Sequence, residues 1–367
     1  MQTVSFVGRN IEAELVYERK PIDLSFYKGK RVLITGHTGF KGSWMCEMLL
    51  MAGAEITGYS LPVKELSTFN LINLRERINH VEGDIRDMEK LKKVFSEAKP
   101  EIVFHMASQQ DAESAYEDPA ETYSVNVMGT VNVLDCIRST PSVRSFINVT
   151  TDKVYQEKTW SFGYRENEVL NGYDPYGNSK SCSELLTGMY QRCFFKDYPA
   201  ITTCRTGDVI GDGSFARDRL MVLEEGRAEI GIDDPKELIS CQHVADVVYA
   251  YLMIAEKQYQ DKNYEGTYNV GPDDDNSREI GDMATSFCEK WNKISGDDLS
   301  WKVIPGNGEP KEPLRRLDCA KIKSTFKWNQ RWDMDTAMEK IAEWTYTYLQ
   351  GNNVEDCMKR QIEDFCS

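Results

Sequence analysis

The chain has 367 residues, 41% of them hydrophobic and 28% charged, with a formal net charge of −15. That length carries one large domain or two modest ones with an ample core, and the acidic balance argues against a nucleic-acid partner, which demands a basic face. No run approaches the ~20 apolar residues of a membrane span, and the N-terminus mixes Arg, Glu and Lys without the apolar stretch of a secretory signal, so a cytoplasmic protein away from membranes is expected.

Residues 1–25 precede the first strand and read as an N-terminal extension. Arg31-Val32-Leu33-Ile34-Thr35 is a short buried strand, followed by a glycine-rich turn and an apolar helix over 43–52. Further strands are expected at 55–60, 78–83, 101–106, 145–150 and 200–205, with helical patterns between them, notably 120–138 and 175–193. Strands separated by helices imply βαβ crossovers and a parallel sheet. Their lack of polar alternation fits a sheet covered on both faces. The expected fold is therefore α/β, a Rossmann-type doubly wound parallel sheet with a smaller C-terminal substrate lobe. The cofactor domain is expected over 26–210, with 240–260 returning to it. The lobe takes 211–239 and 261–350, including a helix over 335–349, and 351–367 forms a tail. Ten cysteines lie scattered without a Cys-x-x-Cys pair, and the four histidines form no cluster. Reduced thiols, structural His105 and His243, and no metal are expected.

The turn "ITGHTGFKGSW" sets Gly36, Gly39 and Gly42 three residues apart. A strand that turns at once into a helix brings backbone N–H groups and a helix N-terminus onto one point, which attracts phosphate. A side chain at Gly36 would obstruct the turn, one at Gly39 the pyrophosphate, and one at Gly42 the packing of helix on sheet. The expected ligand is a dinucleotide held by Gly36, Thr38, Gly39, Phe40, Lys41 and Gly42. Asp84 and Ile85 then meet the adenine, and Met106, Ala107 and Ser108 line the cofactor. The second strand ends Tyr59-Ser60-Leu61, without the acidic residue that holds ribose hydroxyls. NAD is preferred and NADP stays open, with Lys64 and Arg86 as candidate 2′-phosphate partners.

"DPYGNSK" sets Tyr176 and Lys180 four residues apart, on one face of a helix that Pro175 can begin. An ammonium beside a phenol lowers its pKa, which suits Tyr176 to act as a base. Thr151 and Asp152 stand at the end of the fifth strand, where open α/β sheets bind ligands.

With GHTGFKGSW, the segments YEDPAETYSVNVMGTVNVL (116–134), TDKVYQEKTWSFGYRENE (151–168) and GYDPYGNSKSCSELL (172–186) carry a resemblance. Over 26–349 the chain resembles the extended short-chain dehydrogenase/reductase family, in particular its nucleotide-sugar 4,6-dehydratases of the CDP-glucose type, which read Asp-Lys where others read Asp-Glu. The resemblance implies that Tyr176 takes the proton of the sugar 4-OH, with Thr151 bonded to that hydroxyl, as C4 gives hydride to NAD. It implies that Asp152 donates to the departing C6 hydroxyl, that Lys153 takes the C5 proton, and that hydride returns to C6. Tyr176 and Lys180 then also touch the cofactor. A homodimer through 120–138 and 175–193 is implied as well.

The departures fall in the substrate lobe. Asp208 in "RTGDVIGDGSFARDRL" (205–220) replaces an Asn of the family pattern, and "ELISCQHV" (237–244) and "KEPLRRLD" (311–318) differ from it too. A carboxylate there repels a pyrophosphate unless it is paired or turned away. The pattern implies retained chemistry on an altered nucleotide or sugar. Asp208, Arg217, Arg219, Arg315 and Arg316 are the candidate contacts of an anionic nucleotide sugar. Two other readings stand beside this one. One is an epimerase or reductase using Tyr176 and Lys180 on another nucleotide sugar. The other is a dinucleotide-binding protein without activity.

Overall fold

The computed structural model describes residues 20–63, 66–211, 229–272, 277–306 and 314–367. Their strands are β1 (Arg31–Thr35), β2 (Glu55–Ser60), β3 (Asn79–Glu82), β4 (Ile102–His105), β5 (Ser145–Thr151), β6 (Ala200–Thr206), β7 (Asp208–Ile210), β8 (Glu229–Ile232), β9 (Leu238–Ile239), β10 (Cys241–His243), β11 (Gly266–Val270), β12 (Arg278–Glu279) and β13 (Ser300–Val303). Seven of them form one parallel sheet in the order β11-β6-β5-β4-β1-β2-β3. The order reverses between β1 and β4, which opens a crevice at their C-terminal ends.

Period-two alternation sends successive side chains of these buried strands to two separate cores. Val32 and Ile34 join one, with the helices α1 (Phe40–Met51) and Val244–Gln260. Leu33, Val103 and Phe146 join the other, with Met88–Ala98, Gly129–Arg138 and Pro175–Phe194. The sheet is thus doubly wound.

Two elements depart from the sequence expectation. The region expected as a helix over 120–138 is broken into Pro119–Tyr123, a π turn at Ser124–Met128, and Gly129–Arg138. The strand β11, placed by sequence in the second lobe, pairs parallel with β6 from Gly266↔Thr202 to Val270↔Thr206. Its partner lies some sixty residues earlier in the chain, so local pattern could not assign it.

A third apolar core joins Ile230 and Ile232 of β8 with Phe287 and Trp291 of helix Ile280–Ser295 and Met338 and Ile341 of helix Met334–Leu349. The short pairs β7–β10, β9–β12 and β8–β13 surround it. No helix among the described residues is long and apolar enough to cross a membrane.

The last segment is a docked helix, Val354–Cys366. Phe365 is buried against Trp332, with ring centroids 5.1 Å apart, and against Tyr249 at 6.1 Å. Arg77 ties Glu355 of this helix, at 3.2 Å, to the buried Glu47 of α1 at 2.7 Å. Removing a buried phenyl ring typically costs about 3–5 kcal/mol. Phe365→Ala should therefore lower unfolding stability in urea by that amount. A loss under about 1 kcal/mol would mean that the helix is not docked in solution.

Candidate active site

The glycine turn lies at the crevice, and each glycine has its own reason. Gly36 has φ +75°, and a Cβ there would come within 2.6 Å of Ala107 N. A Cβ on Gly42 would meet Gly36 O at 2.5 Å. Gly39 precedes the first residue of α1, and its Cβ position meets only Gly36 O, at 3.3 Å, and is otherwise open. Close packing forbids side chains at the first and third positions. At the second, the backbone is bare toward the cleft.

A cavity of ≈ 380 Å³ extends from this turn. Gly36, Thr38, Gly39, Phe40, Lys41, Gly42, Asp84, Ile85, Met106, Ala107 and Ser108 all line it. Sequence reasoning missed Ser60, Leu61, Gly83, Gln109, Gln110, Glu121 and Val125, which line it too. Ser60, Leu61, Gly83, Gln109 and Gln110 stand at or just past the ends of β2, β3 and β4, so their signal was position alone, whereas Glu121 and Val125 come from the helical segments Pro119–Tyr123 and Ser124–Met128. A helix N-terminus with a bare glycine beside it fits a pyrophosphate, and the apolar Ile85, Ala107 and Val125 suit a flat ring. The residues present therefore fit a dinucleotide.

Arg86 does not act there as an open cation. It holds both oxygens of Asp84, with the shortest contact 2.6 Å, and Glu121 at 2.6 Å. Its guanidinium keeps the Asp84 carboxyl below the ordinary carboxylate range. A 2′-phosphate would have to displace two carboxylates from it. Lys64, Arg217 and Arg219 lie outside the described residues.

The catalytic candidates meet at the end of β5. Thr151 ends the strand, and Asp152–Val154 forms a 3₁₀ turn capped by the Thr151 hydroxyl. That bend lets neighbouring side chains leave the strand's strict alternation. Thr151 Oγ1 donates to Asp152 Oδ1 at 3.1 Å, and Lys153 N donates to Thr151 Oγ1 at 3.4 Å. The helix Pro175–Phe194 begins against this turn. Asp174 caps it, accepting from Gly177 N at 2.8 Å, and a Cβ on Gly177 would come within 2.6 Å of Lys153 O. Tyr176 shares a hydrogen bond with Thr151. Lys180 Nζ, buried one turn further, donates to Val149 O at 3.0 Å.

The electrostatics differ from the sequence expectation at Tyr176. Burial pushes its phenol up, and the carboxylates of Asp152, Asp174 and Asp208 add to this, while the Thr151 bond opposes it. The lowering expected from Lys180 is not seen, and Lys180 Nζ is bonded to Val149 O. Lys180 is itself pushed down to about 7, first by burial and then by Lys41, with Glu184 opposing. Asp152 is pushed up to about 6, first by burial and then by Asp208, with Arg315, Thr151 and Lys153 opposing. Lys41 is lowered by burial and drawn back by Asp152 and Asp208. The glycine-loop lysine thus stands between the cavity and the carboxylates of Asp152 and Asp208.

Behind the site, Glu184 pairs with Arg205 at 3.0 Å, both buried, and accepts from Thr203 at 2.7 Å. Arg205 donates to Tyr155 at 2.9 Å. This brace joins the catalytic helix to β6. Its signal in the sequence was Glu184, four residues beyond Lys180 on the same helix face.

On the substrate side, Arg315 and Arg316 line an open cleft of ≈ 1000 Å³ with Trp160, Phe162, Tyr164 and Tyr173. Arg315 is ion-paired with Glu157 and its charge reaches Asp152. Arg316 Nε is buried without a hydrogen-bond partner among the described residues. Asp208 is exposed at the start of β7.

Lys180 carries a pH signature. Between pH 7 and its ordinary 10.5 the folded protein holds it neutral while the unfolded chain keeps the proton. Unfolding then takes up a proton, and stability from this group rises with pH across that window. The penalty is full at pH 7 and below and vanishes near 10.5. Lys180→Met removes it, along with one hydrogen bond worth about 1 kcal/mol. The stability of Lys180→Met relative to the parent should fall steadily from pH 7 to pH 10 in urea titrations. A difference independent of pH would contradict the buried, near-neutral lysine.

Residues 33–341 match the family described as GDP-mannose 4,6 dehydratase. The chain is 38% identical over 362 residues to CDP-glucose 4,6-dehydratase of Salmonella typhimurium, across 94% of this chain and 99% of that protein. It is 26% identical to dTDP-D-glucose 4,6-dehydratase of Homo sapiens, across 90% and 94% of the two chains. In fold it is similar to dTDP-glucose 4,6-dehydratase from Bacillus anthracis in complex with NAD, with TM-score 0.71 and 18% identity over 88% of this chain and 99% of that one. It is similar also to UDP-glucose-4-epimerase from Stenotrophomonas maltophila with bound NAD, with TM-score 0.73 and 18% identity over 88% and 99%. At such identity these two structures speak to fold alone. With a family match over most of its length and a relative alike across nearly all of it, the chain belongs to the GDP-mannose 4,6 dehydratase family.

Proposed function

We propose that this protein is a nucleotide-sugar 4,6-dehydratase that takes CDP-glucose, or a sugar nucleotide close to it, to a 4-keto-6-deoxy product. The observation that carries this reading is the meeting of Thr151, Asp152, Lys153 and Tyr176 at one strand end, beside the glycine-loop cavity. The 38% identical relative, itself named a CDP-glucose 4,6-dehydratase, supports it.

In this reading the cavity holds NAD. The glycine turn takes the pyrophosphate, Asp84 and Ile85 border the adenine, and Tyr176 and Lys180 stand at the nicotinamide end. The Arg86 clamp by Asp84 and Glu121 favours NAD over NADP. A bound NAD would supply the acceptor for the C4 hydride and its return to C6. The rest falls to the chain. Tyr176 takes the proton of the 4-OH, which Thr151 orients, and Lys180 near neutrality can relay protons. The resulting 4-keto group acidifies C5–H, Lys153 removes that proton, and Asp152 donates to the departing hydroxyl. A carboxyl raised to about 6 by burial and Asp208 is suited to donate. An epimerase needs no such acid, and for that reason elimination is preferred. Arg315 and Arg316, with the aromatic side chains of their cleft, receive the nucleotide. The sheet domain thus serves the cofactor and the second lobe the substrate.

The cytoplasm is the expected compartment. Every cysteine of the described residues is free, as in a reducing environment. The chain should work as a homodimer. Leu185 (59% exposed) and Met189 (37%) lie one turn apart on Pro175–Phe194, and Met128 (53%) lies on the neighbouring helical segment. Together they make an apolar face for a second copy.

Two measurements test these statements. Lys153→Met should oxidise C4 and stall, accumulating NADH absorbance with CDP-glucose and no C5 exchange with deuterated water. Turnover and exchange at the parental rate would remove Lys153 from the chemistry. Leu185→Asp combined with Met189→Asp should elute at half the parental mass in size-exclusion light scattering. An unchanged mass would place the interface elsewhere.

A further inference from the structure

Asp208 follows Gly207 directly, and two close approaches fix where its strand runs. A Cβ on Gly207 would lie 3.2 Å from Asp152 Oδ2, and one on Gly211 would lie 2.7 Å from the Phe40 ring, next to Lys41. β7 therefore runs from the catalytic carboxyl to the first turn of α1. Parallel pairing with β10, Asp208 opposite Cys241, holds its start. The Asp208 charge acts on Asp152, Tyr176, Lys41 and Cys241. All four surround the point where a substrate would react or lie just behind it.

We propose that Asp208 is a positioning residue for water loss: its negative charge holds the proton on Asp152 until the C6–O bond breaks. This rests on the reading of Asp152 as the acid of the elimination. In that step the C5–H bond breaks, its proton passes to the unprotonated amine of Lys153, and its electron pair becomes the C5=C6 double bond. The C6–O pair leaves with oxygen, takes the Asp152 proton and departs as water. An Asp152 already ionised has no proton to give.

The charges around Asp152 come from each element packed on it. Thr151 and Lys153 flank it on its own turn, Tyr176 faces it from the helix, Lys41 from α1 and Arg315 from the chain before Leu317. Arg315, Thr151 and Lys153 favour the ionised form, and Lys41 gains from it. Burial and Asp208 oppose them. Two carboxylates that share a site resist a second ionisation, so Asp208 supplies the charge that an amide would not. A carboxylate costs something in phosphate binding, and this role explains what it gives in return.

The test is a difference-infrared titration of the NAD-loaded protein, following the C=O stretch of the protonated carboxyl, assigned by its loss in Asp152→Asn. The parent should titrate near pH 6. In Asp208→Asn the midpoint should fall by roughly one pH unit, as for a lost like charge nearby, and in Asp208→Glu it should stay near the parent's. The alkaline limb of CDP-glucose turnover should move with it, toward lower pH in Asp208→Asn. Equal midpoints in the parent and Asp208→Asn would overturn the proposal. So would a lower KM for CDP-glucose with an unmoved pH profile, which would make Asp208 only a repeller of phosphate. Parental turnover by Asp152→Asn would instead overturn the acid assignment on which the proposal rests, whatever the titration shows.

Discussion

The site depends on one backbone contact, between the first turn of helix Pro175–Phe194 and the 3₁₀ turn after β5. Gly177 sits so close to Lys153 O that a Cβ would come within 2.6 Å of it. Gly172 packs against Gly177 in the same way, with a Cβ position 2.2 Å from Gly177 C. No residue but glycine fits at either point without displacing backbone. This closeness carries Tyr176 to Thr151 and sets the Asp152–Lys153 turn beside the phenol. The buried Glu184–Arg205 pair holds the same helix to β6 from behind. The meeting of Thr151, Asp152, Lys153 and Tyr176 at one strand end thus rests on two glycines and a buried ion pair.

Charge is arranged against the global field. The chain carries −15 overall, yet Lys41, Lys180 and Lys153 gather at the crevice with Arg315 and Arg316 beyond. Burial lowers Lys41 and Lys180 toward neutrality, and raises Asp152 and Tyr176. Both trends follow from one cause, the removal of water from ionisable groups. Lys41 belongs to the cofactor turn by sequence and to the catalytic field by position, so the two halves of the site are electrostatically one.

Local chemistry was legible in the sequence, and tertiary chemistry was not. The glycine spacing, the strand-to-turn placement of Thr151 and Asp152, and the Tyr176–Lys180 interval all express short-range geometry, and the structure brings these residues together. β11 was misplaced because its partner β6 is distant in the chain. Residues 351–367 were expected as a tail; the helix Val354–Cys366 docks on Trp332 and Tyr249, which no local pattern announces. The direction of the Tyr176 shift was missed for a related reason: a neighbouring lysine can be read from spacing, whereas burial and the convergence of Asp152, Asp174 and Asp208 cannot. Arg86 reads as available for a phosphate in the sequence, where its clamp by Asp84 and Glu121 is invisible.

Hydride leaves C4 and returns within the same active site to C6 after water is lost between C5 and C6. CDP-glucose carrying deuterium at C4 tests this directly, with the product examined by NMR and mass spectrometry. One deuterium is expected in the methyl group at C6 of a 4-keto-6-deoxy sugar, with one solvent hydrogen at C5. Deuterium recovered at C4 of an epimerised sugar, with the C6 hydroxyl intact, would contradict it.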